Sequence, residues 1–239
     1  ASATGINTGA GDDEVLNDAV MIVSAGNPLT ADGSANCGAG SEGACAESFA
    51  VSATLAGYGS VDASSIANAN ALGITGGEGN DIVQNDQAIT VTSLARGSAE
   101  GISVTLLGAS DAAANTTSNA GVAGLAGEGG RDTLINNSDL NAHSAAETYA
   151  DSFSLTIAGA TSASANTTTT ADAVGMDGGA DDDKIFNFDT GHIDVSATTT
   201  SEAHASSWTF AGAASAETTL GALTSASGID GGSGDDIIG

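Results

Sequence analysis

The sequence contains almost no basic residues. Lysine and arginine together occur three times, against 30 aspartates and glutamates, so the formal net charge is −27 at pH 7. We expect no nucleic-acid partner, because nucleic acids and anionic lipids attract positive charge. A chain so far from neutrality repels itself, and bound cations or high ionic strength must offset that repulsion if it is to fold compactly.

Bulky core residues are also scarce. Aromatic residues make up 3% of the chain, and much of the 41% hydrophobic content is alanine. Long stretches of Ala, Ser, Thr and Gly instead predict thin layers whose backbones approach closely. No apolar run reaches the roughly 18 residues of a membrane span, so we expect no membrane insertion. Disorder is the alternative for such a composition, but the ordered repeat described below argues against it.

Proline occurs once and cysteine twice, and all three residues fall in one Gly/Ser/Ala-rich stretch. A zinc site would need more ligands close by, so a local disulfide between Cys37 and Cys45 is the favoured interpretation, typical of a secreted protein. The chain opens at Ala1 without a methionine. Either a processed secreted product or an excised fragment would begin in this way, and both remain open.

A glycine turn recurs along the chain at separations of 68, 51, 51 and 53 residues. The turns start at Gly5, Gly73, Gly124, Gly175 and Gly228. A second glycine closes an apolar run sixteen residues before each of the last four turns. Such a period predicts stacked supersecondary units. We therefore predict one domain over residues 1–239, with an insertion at about 26–47 that accounts for the longer first unit.

Between the turns, apolar residues alternate with polar ones, as in AITVTS and HIDVSA. A period of two predicts strands with one buried face. The predicted fold is all-β, a parallel β-solenoid of about four and a half repeats of ~51 residues. The asparagine that closes each turn motif is expected to stack on its equivalents along the solenoid, although a simple turn role is the alternative. These residues are Asn17, Asn85, Asn136 and Asn187.

The turns combine glycine with aspartate. Glycine permits positive-φ backbone that lets carbonyls converge, and aspartate adds an anionic oxygen. The segments GGEGNDIV and GGSGDDII resemble the hemolysin-type, or RTX, calcium-binding nonapeptide, G-G-x-G-x-D-x-apolar-x. That resemblance implies Ca²⁺ held between successive coils by motif aspartates and backbone carbonyls. By position, the matching aspartates are Asp13, Asp81, Asp183 and Asp236.

The motifs lie about 51 residues apart, so ligands shared between turns must come from adjacent coils. The third turn differs because Arg131 precedes its aspartate, and an arginine can replace a cation by pairing with stacked carboxylates. We expect weak or absent metal at that level. The predicted calcium ligands are Asp12, Asp13, Asn80, Asp81, Asp177, Asp182, Asp183, Asp230, Asp235 and Asp236.

Other chemistries have little support in the sequence. A phosphate loop needs a following helix and usually a lysine, whereas a purely structural Gly/Asp turn without metal remains an alternative. We expect no enzyme, because the three histidines lack zinc-helix spacing and no serine stands in a nucleophile elbow. Glycans are a further candidate partner, since Asn115 and Asn166 begin sequons at one phase of the repeat.

These features predict a secreted, extracellular or cell-surface structural protein. The first and last turn motifs occupy the same phase of the repeat, so neither end shows a distinct cap. Uncapped strand edges favour head-to-tail addition of further copies, with Ca²⁺ bridging Asp12 or Asp13 of one subunit to Asp235 or Asp236 of the next. The alternative is a calcium-dependent adhesin, or a repeat segment of a larger RTX-like protein, that binds through the cysteine-containing insertion.

Overall fold

The computed structural model describes residues 1–25 and 44–239, which form β-strands and no helix. None of these residues belongs to a helix long and apolar enough to cross a lipid bilayer. The strands are β1 (Ser2–Asn7), β2 (Glu14–Asn17), β3 (Met21–Ala25), β4 (Ala44–Glu78), β5 (Ile82–Asn85), β6 (Ile89–Gly129), β7 (Thr133–Asn136), β8 (Leu140–Asp177), β9 (Lys184–Asn187), β10 (Ile193–Asp230) and β11 (Ile237–Ile238).

The strands form two sheets in which all neighbours pair in parallel. One sheet has the order β1-β4-β6-β8-β10, with β3 also paired to β6, and the other has the order β11-β9-β7-β5-β2. The chain runs through a long strand of the first sheet and then a short strand of the second. We call one such passage, for example β6 followed by β7, a coil. The predicted all-β class is confirmed, and this architecture is compatible with the predicted solenoid.

Neighbouring coils are in register with the sequence period. Hydrogen bonds join equivalent turn residues 68, 51, 51 and 53 positions apart along the stack. Those separations equal the spacing of the glycine turns in the sequence. Each residue therefore stacks on its equivalent in the next coil, about 4.8 Å away, the spacing of adjacent strands.

Alternation of side chains explains why these segments are strands. At the start of β6, Ile89, Val91 and Ser93 face inward, whereas Thr90 and Thr92 are partly exposed. β-Branched residues fit such a half-buried pleated surface well. The inward residues of the two sheets form the main core, whose largest fully buried members include Ile74, Val83, Ile89, Leu125, Leu134, Leu140, Met176 and Ile185.

The long strands fold back on themselves and form a thin layered part of each coil. In β6 the bend lies at Gly108, whose φ of 125° favours glycine. Beyond it, the Ser110 hydroxyl donates to the Ser103 hydroxyl at 2.8 Å. The interior here consists largely of buried Ser and Thr together with an alanine cluster: Ala63, Ala99, Ala114, Ala150 and Ala165. Small side chains thus allow the two layers to approach, as the composition predicts.

The insertion lies at one position of the first complete coil. Ala25 pairs with Ser93 and Ala44 pairs with Ala95, so the described pairing with β6 stops and resumes on either side of Leu94. The insertion was predicted to reach about residue 47, but residues 44–47 already belong to β4, because their pairing with β6 continues without interruption. Cys37, and with it the predicted Cys37–Cys45 disulfide, lies outside the described residues.

Close packing in the thin layers leads to a test with two glycine variants. A Cβ on Gly101 would lie 2.6 Å from the Ala113 carbonyl oxygen of the facing layer. Gly101→Ala should therefore lower the free energy of unfolding by about 1–3 kcal/mol, since backbone must move. Gly121→Ala is the matched control, because its nearest neighbour is the Asn70 side chain at 3.1 Å. Urea unfolding measures both, and equal stabilities would contradict the close approach of the layers.

Candidate cation-binding turns

Each turn motif connects a long strand of the first sheet to a short strand of the second. The backbone has positive φ at two positions of every turn. Glycine occupies most of these positions, as in Gly77 and Gly79, whose φ values are 94° and 141°. Two positions instead carry acidic residues, Glu128 at 75° and Asp181 at 77°. Non-glycine residues rarely adopt this conformation, so the stacked turns hold these two residues in place.

One aspartate of each turn forms a continuous row along the stack, which we call the inner row. Its members are Asp13, Asp81, Asp132, Asp183 and Asp236. In each step the backbone N–H of one aspartate donates to Oδ1 of its equivalent in the next coil, at 2.7, 2.8, 2.8 and 2.9 Å. The three central members are only 1% exposed. The inner row therefore places carboxylates one strand spacing apart inside the protein.

The second carboxylate oxygen of these aspartates has no hydrogen-bond partner. Within the described residues, Oδ2 of Asp13, Asp81, Asp132 and Asp183 is buried and unpaired. A glycine lies beside the oxygens of Asp81, Asp132 and Asp183: a Cβ on Gly76 would lie 2.7 Å from Asp81 Oδ2, and one on Gly178 would lie 2.7 Å from Asp183 Oδ2. A buried charged oxygen without a partner is costly, so it requires a proton or a cation.

Burial and the repulsion of neighbouring carboxylates raise the pKa values of Asp132 and Asp183. Burial raises the pKa of Asp132 to about 6, and the negative charges of Asp183, Asp81 and Asp181 add to the effect, although its hydrogen bond from the Asp81 backbone opposes it. Burial likewise raises the pKa of Asp183, with a contribution from Asp236. Ionisation at neutral pH therefore destabilises the folded row unless positive charge approaches it.

An exposed row runs beside the inner row, one residue earlier in each turn. This outer row consists of Asp12, Asn80, Arg131, Asp182 and Asp235. The Asn80 backbone N–H donates to Asp12 Oδ1 at 2.9 Å, and the Arg131 backbone N–H donates to Asn80 Oδ1 at 3.0 Å. The Arg131 guanidinium donates to Asp182 Oδ2 at 3.1 Å. The predicted pairing of this arginine with a stacked carboxylate is thus present.

The remaining predicted ligands lie on the long strands, just before the turns. Asp177 and Asp230 are register partners on β8 and β10. Burial raises the pKa of Asp177, and the neighbouring charge of Asp230 contributes. Asp230 Oδ1 also accepts a hydrogen bond from the Gly232 backbone N–H at 3.1 Å. The equivalent position one coil away is Ala126, so this carboxylate pair belongs to the last two coils alone.

Three acidic side chains beside the turns were not among the predicted ligands. Glu78, Glu128 and Asp181 line an open groove together with Asn80. Glu128 Oε1 accepts a hydrogen bond from the Thr75 hydroxyl at 2.7 Å. Glu78 occupies a variable position of the turn motif, whereas Glu128 stands where the motif has its second glycine, opposite Gly77. Neither position is a ligand position in the motif. Only the stacking of two coils brings them to one groove.

The asparagine row predicted from the motif is confirmed. The Asn17 amide donates to Asn85 Oδ1, Asn85 donates to Asn136 Oδ1, and Asn136 donates to Asn187 Oδ1, each at 2.8 Å. Asn85 and Asn136 are fully buried. Because an amide both donates and accepts, identical asparagines satisfy one another along the stack. The aspartates of the inner row lack this property, since an ionised carboxylate only accepts.

The donor set of the turns suits a hard cation. Unpaired carboxylate oxygens and glycine backbone are the ligands that Ca²⁺ prefers. Among residues 1–25 and 44–239, however, no three acidic, histidine or cysteine side chains converge as a metal-binding group. A bound ion would therefore draw one or two ligands from the inner row, principally Oδ2 of Asp81, Asp132 or Asp183, and the rest from main-chain carbonyls or water. Asp132 thus joins the candidate ligands that the sequence singled out.

No protein-family model, curated protein or solved structure matches this chain. The RTX resemblance accordingly rests on the turn motifs themselves.

The raised pKa of Asp132 leads to a pH test in calcium-free buffer. A folded pKa of about 6 against the usual 3.8 means that this carboxyl stabilises the fold at low pH and loses that contribution as pH rises through about 6. Asp132→Asn cannot ionise. As the pH rises from 4 to 7, the Tm of the wild type should therefore fall relative to the Tm of this variant, as measured by circular dichroism. Exposed Asp189→Asn is the control, and a pH-independent difference for Asp132→Asn would contradict the raised pKa.

Proposed function

We propose that the protein is an extracellular structural subunit, stabilised by Ca²⁺, that assembles head to tail into a surface filament, layer or matrix. In this proposal the chain is a β-solenoid of about four and a half repeats of ~51 residues, and its Gly/Asp turns bind the ion. The observation that carries the proposal is the inner row, a continuous line of stacked aspartates whose second oxygens are buried and unpaired.

Charge supports a cation in the turns. The chain carries 30 acidic residues and three basic ones. Of the basic residues, Arg131 already pairs with Asp182 in the outer row, and Arg96 pairs with Glu147 far from the turns. Like charges one strand spacing apart in a protein interior repel by several kcal/mol. Lys184, the third basic residue, follows Asp183 at an exposed position of β9, but three positive charges cannot balance 30 negative ones. Mobile cations are therefore the main further source of compensation, and a divalent ion can neutralise two neighbouring carboxylates.

The chemistry of the ligands favours calcium. Oxygen ligands from one carboxylate and several carbonyls form flexible sites that Ca²⁺ tolerates, whereas Mg²⁺ demands a stricter octahedron. When bound, the ion would supply positive charge and a link between adjacent coils. Sites with few carboxylates bind weakly, with Kd on the order of 10⁻⁴ to 10⁻³ M as in extracellular modules. Such sites would fill outside cells, which agrees with a secreted or cell-surface location.

Assembly is supported by the edges of the stack. In the described part of the chain, β10 and β11 are the last strands of the two sheets on one side, and β1 and β2 are the last strands on the other. Unpaired edges are templates for another strand. The two sides differ from each other, so their contact is heterologous and generates an open fibre unless rotation closes a ring. Copies of the same chain are thus the proposed partner.

Calcium should raise the stability of the isolated protein. A ligand that binds only the folded state at 100 times its Kd adds about 2.7 kcal/mol per site. We expect the Tm to rise with millimolar Ca²⁺, and the double variant Asp81→Asn/Asp183→Asn to lose most of that rise. The double variant Asp139→Asn/Asp189→Asn removes the same charge outside the turns and should retain it. If both variants respond like wild type, the inner row does not bind the ion.

Calcium should also control assembly. Electron microscopy of the purified chain should show filaments or sheets that appear or stiffen with Ca²⁺ and dissolve when a chelator is added. Equal ionic strength from NaCl is the control, because screening alone would reduce repulsion as well. Monodisperse particles under every condition would reject the structural-subunit proposal.

A further inference from the structure

Large apolar side chains point away from the interior of the thin layers, just before the bend of each long strand. In β6 they belong to Ile102, Val104 and Leu106. Ser103 and Thr105, which alternate with them, are buried. Successive side chains of a strand point to opposite faces, so the apolar residues are on the outer surface of this layer.

The same arrangement recurs at equivalent positions of the neighbouring coils. Ile102 pairs with Phe153 and Val104 with Leu155. Ile157 stands at the position of Leu106, because the residues on either side of the two are register partners. Together these residues form three columns across four coils, which we call the apolar face. Its large members are Val51, Leu55, Ile102, Val104, Leu106, Phe153, Leu155, Ile157, Trp208 and Phe210.

The apolar face is open to solvent within the stack as well as at its edge. β6 and β8 have paired strands on both sides, yet Leu106 is 40% and Ile157 49% exposed. None of the eight aromatic residues of the chain, all of which lie in the described ranges, belongs to the buried core. Three of them are on the apolar face, including the single tryptophan, Trp208. Contiguous exposed apolar surface of this kind marks an interaction site.

The apolar face is free of charge in a chain of net charge −27. Carboxylates border it on the side away from the bend, where Glu100 and Asp151 are register partners. The opposite surface of the thin layers is polar instead, with partly exposed residues such as Asn115 and Thr117. Two copies of this acidic protein can therefore approach each other through the apolar face without placing carboxylates directly against carboxylates.

We propose that the apolar face binds the apolar face of a second copy of this chain. The columns repeat every 4.8 Å or so along the stack, which is the spacing of adjacent strands. A surface whose ridges match this spacing throughout is another in-register stack. Paired sheets with such columns interdigitate into dry interfaces, with the sheets about 10 Å apart.

The area of the apolar face determines how strong this contact is. Three columns about 7 Å apart and four coils about 4.8 Å apart cover about 400 Å². A pair would bury about 800 Å² in total, less than the roughly 1,200–2,000 Å² of stable complexes. An isolated pair is therefore weak. In the proposed head-to-tail assembly, on which this step rests, each subunit adds one face to the same side of a filament, so many weak contacts join filaments side by side.

Trp208 reports directly on pairing, because it is the only tryptophan and is 65% exposed. In calcium-free buffer with about 0.5 M NaCl, which screens the charge, its emission should shift to shorter wavelength as protein concentration rises. Val104→Thr/Leu155→Thr keeps β-branched residues on the strands and should lower the association constant at least tenfold, as measured by sedimentation equilibrium.

A matched control removes apolar side chains from the opposite surface. Ile66 and Leu223 are 63% and 65% exposed there, at the register positions of Thr117 and Thr170. Ile66→Thr/Leu223→Thr should associate like wild type. Circular dichroism establishes that both variants are folded. If the two variants associate equally, the apolar face is not the contact. If wild type stays monomeric and its Trp208 emission shifts only with phosphatidylcholine vesicles, the occupant is a lipid surface and the proposal is overturned.

Electron microscopy with Ca²⁺ tests the lateral contact within the assembly. Wild type and the control variant should form bundles or layers, whereas Val104→Thr/Leu155→Thr should form single filaments of ordinary length. Unchanged bundles of that variant would overturn the lateral role of the apolar face and leave head-to-tail assembly intact. Absence of filaments in wild type would reject the proposed function, while sedimentation and Trp208 emission would still decide whether the faces pair.

Discussion

In-register parallel stacking is the constraint on which the rest of this structure depends. Each residue of the paired strands lies about 4.8 Å from its register partner in the neighbouring coil. A side chain must therefore pack against the side chain at the equivalent position of the neighbouring coil, which is often the same residue type. Asparagine meets this condition, because its amide donates to one neighbour and accepts from the other. Alanine meets it as well, and it fills the thin part of each coil without forcing the facing layers apart.

Aspartate does not meet this condition unaided. In Asp81, Asp132 and Asp183, a backbone N–H of the neighbouring coil donates to one carboxylate oxygen, and the other oxygen remains buried without a hydrogen-bond partner. The raised pKa of Asp132 follows from the same stacking, which adds the charges of the residues above and below to the effect of burial. Protons and cations are thus alternative means of stabilising one arrangement. In the outer row, Arg131 supplies an internal positive charge beside Asp182.

Stacking also makes the outer edges of the described sheets resemble the interfaces between coils. The edge of β10 presents to solvent the same kind of surface that β8 presents to β10 inside the molecule. β1 on β4 is a shorter version of the same contact. In the proposed assembly, head-to-tail association between copies would therefore need no separate binding surface.

The sequence by itself determined the period, the strand class and the stacked rows. Equal spacing of the turn motifs forces equivalent residues such as Asn85 and Asn136 together in any parallel stack, so the asparagine row was predictable. The repeat spacing tells which residues stack along the axis of the stack, but it does not tell which residues face each other within one coil. Only the tertiary structure decided that β6 folds back at Gly108, that Glu78 and Glu128 share a groove, and that Asp132 joins the inner row despite Arg131. Those features depend on where each layer bends and on which face of each strand is buried. Packing between the layers determines the bend and the buried face, and the repeat spacing does not.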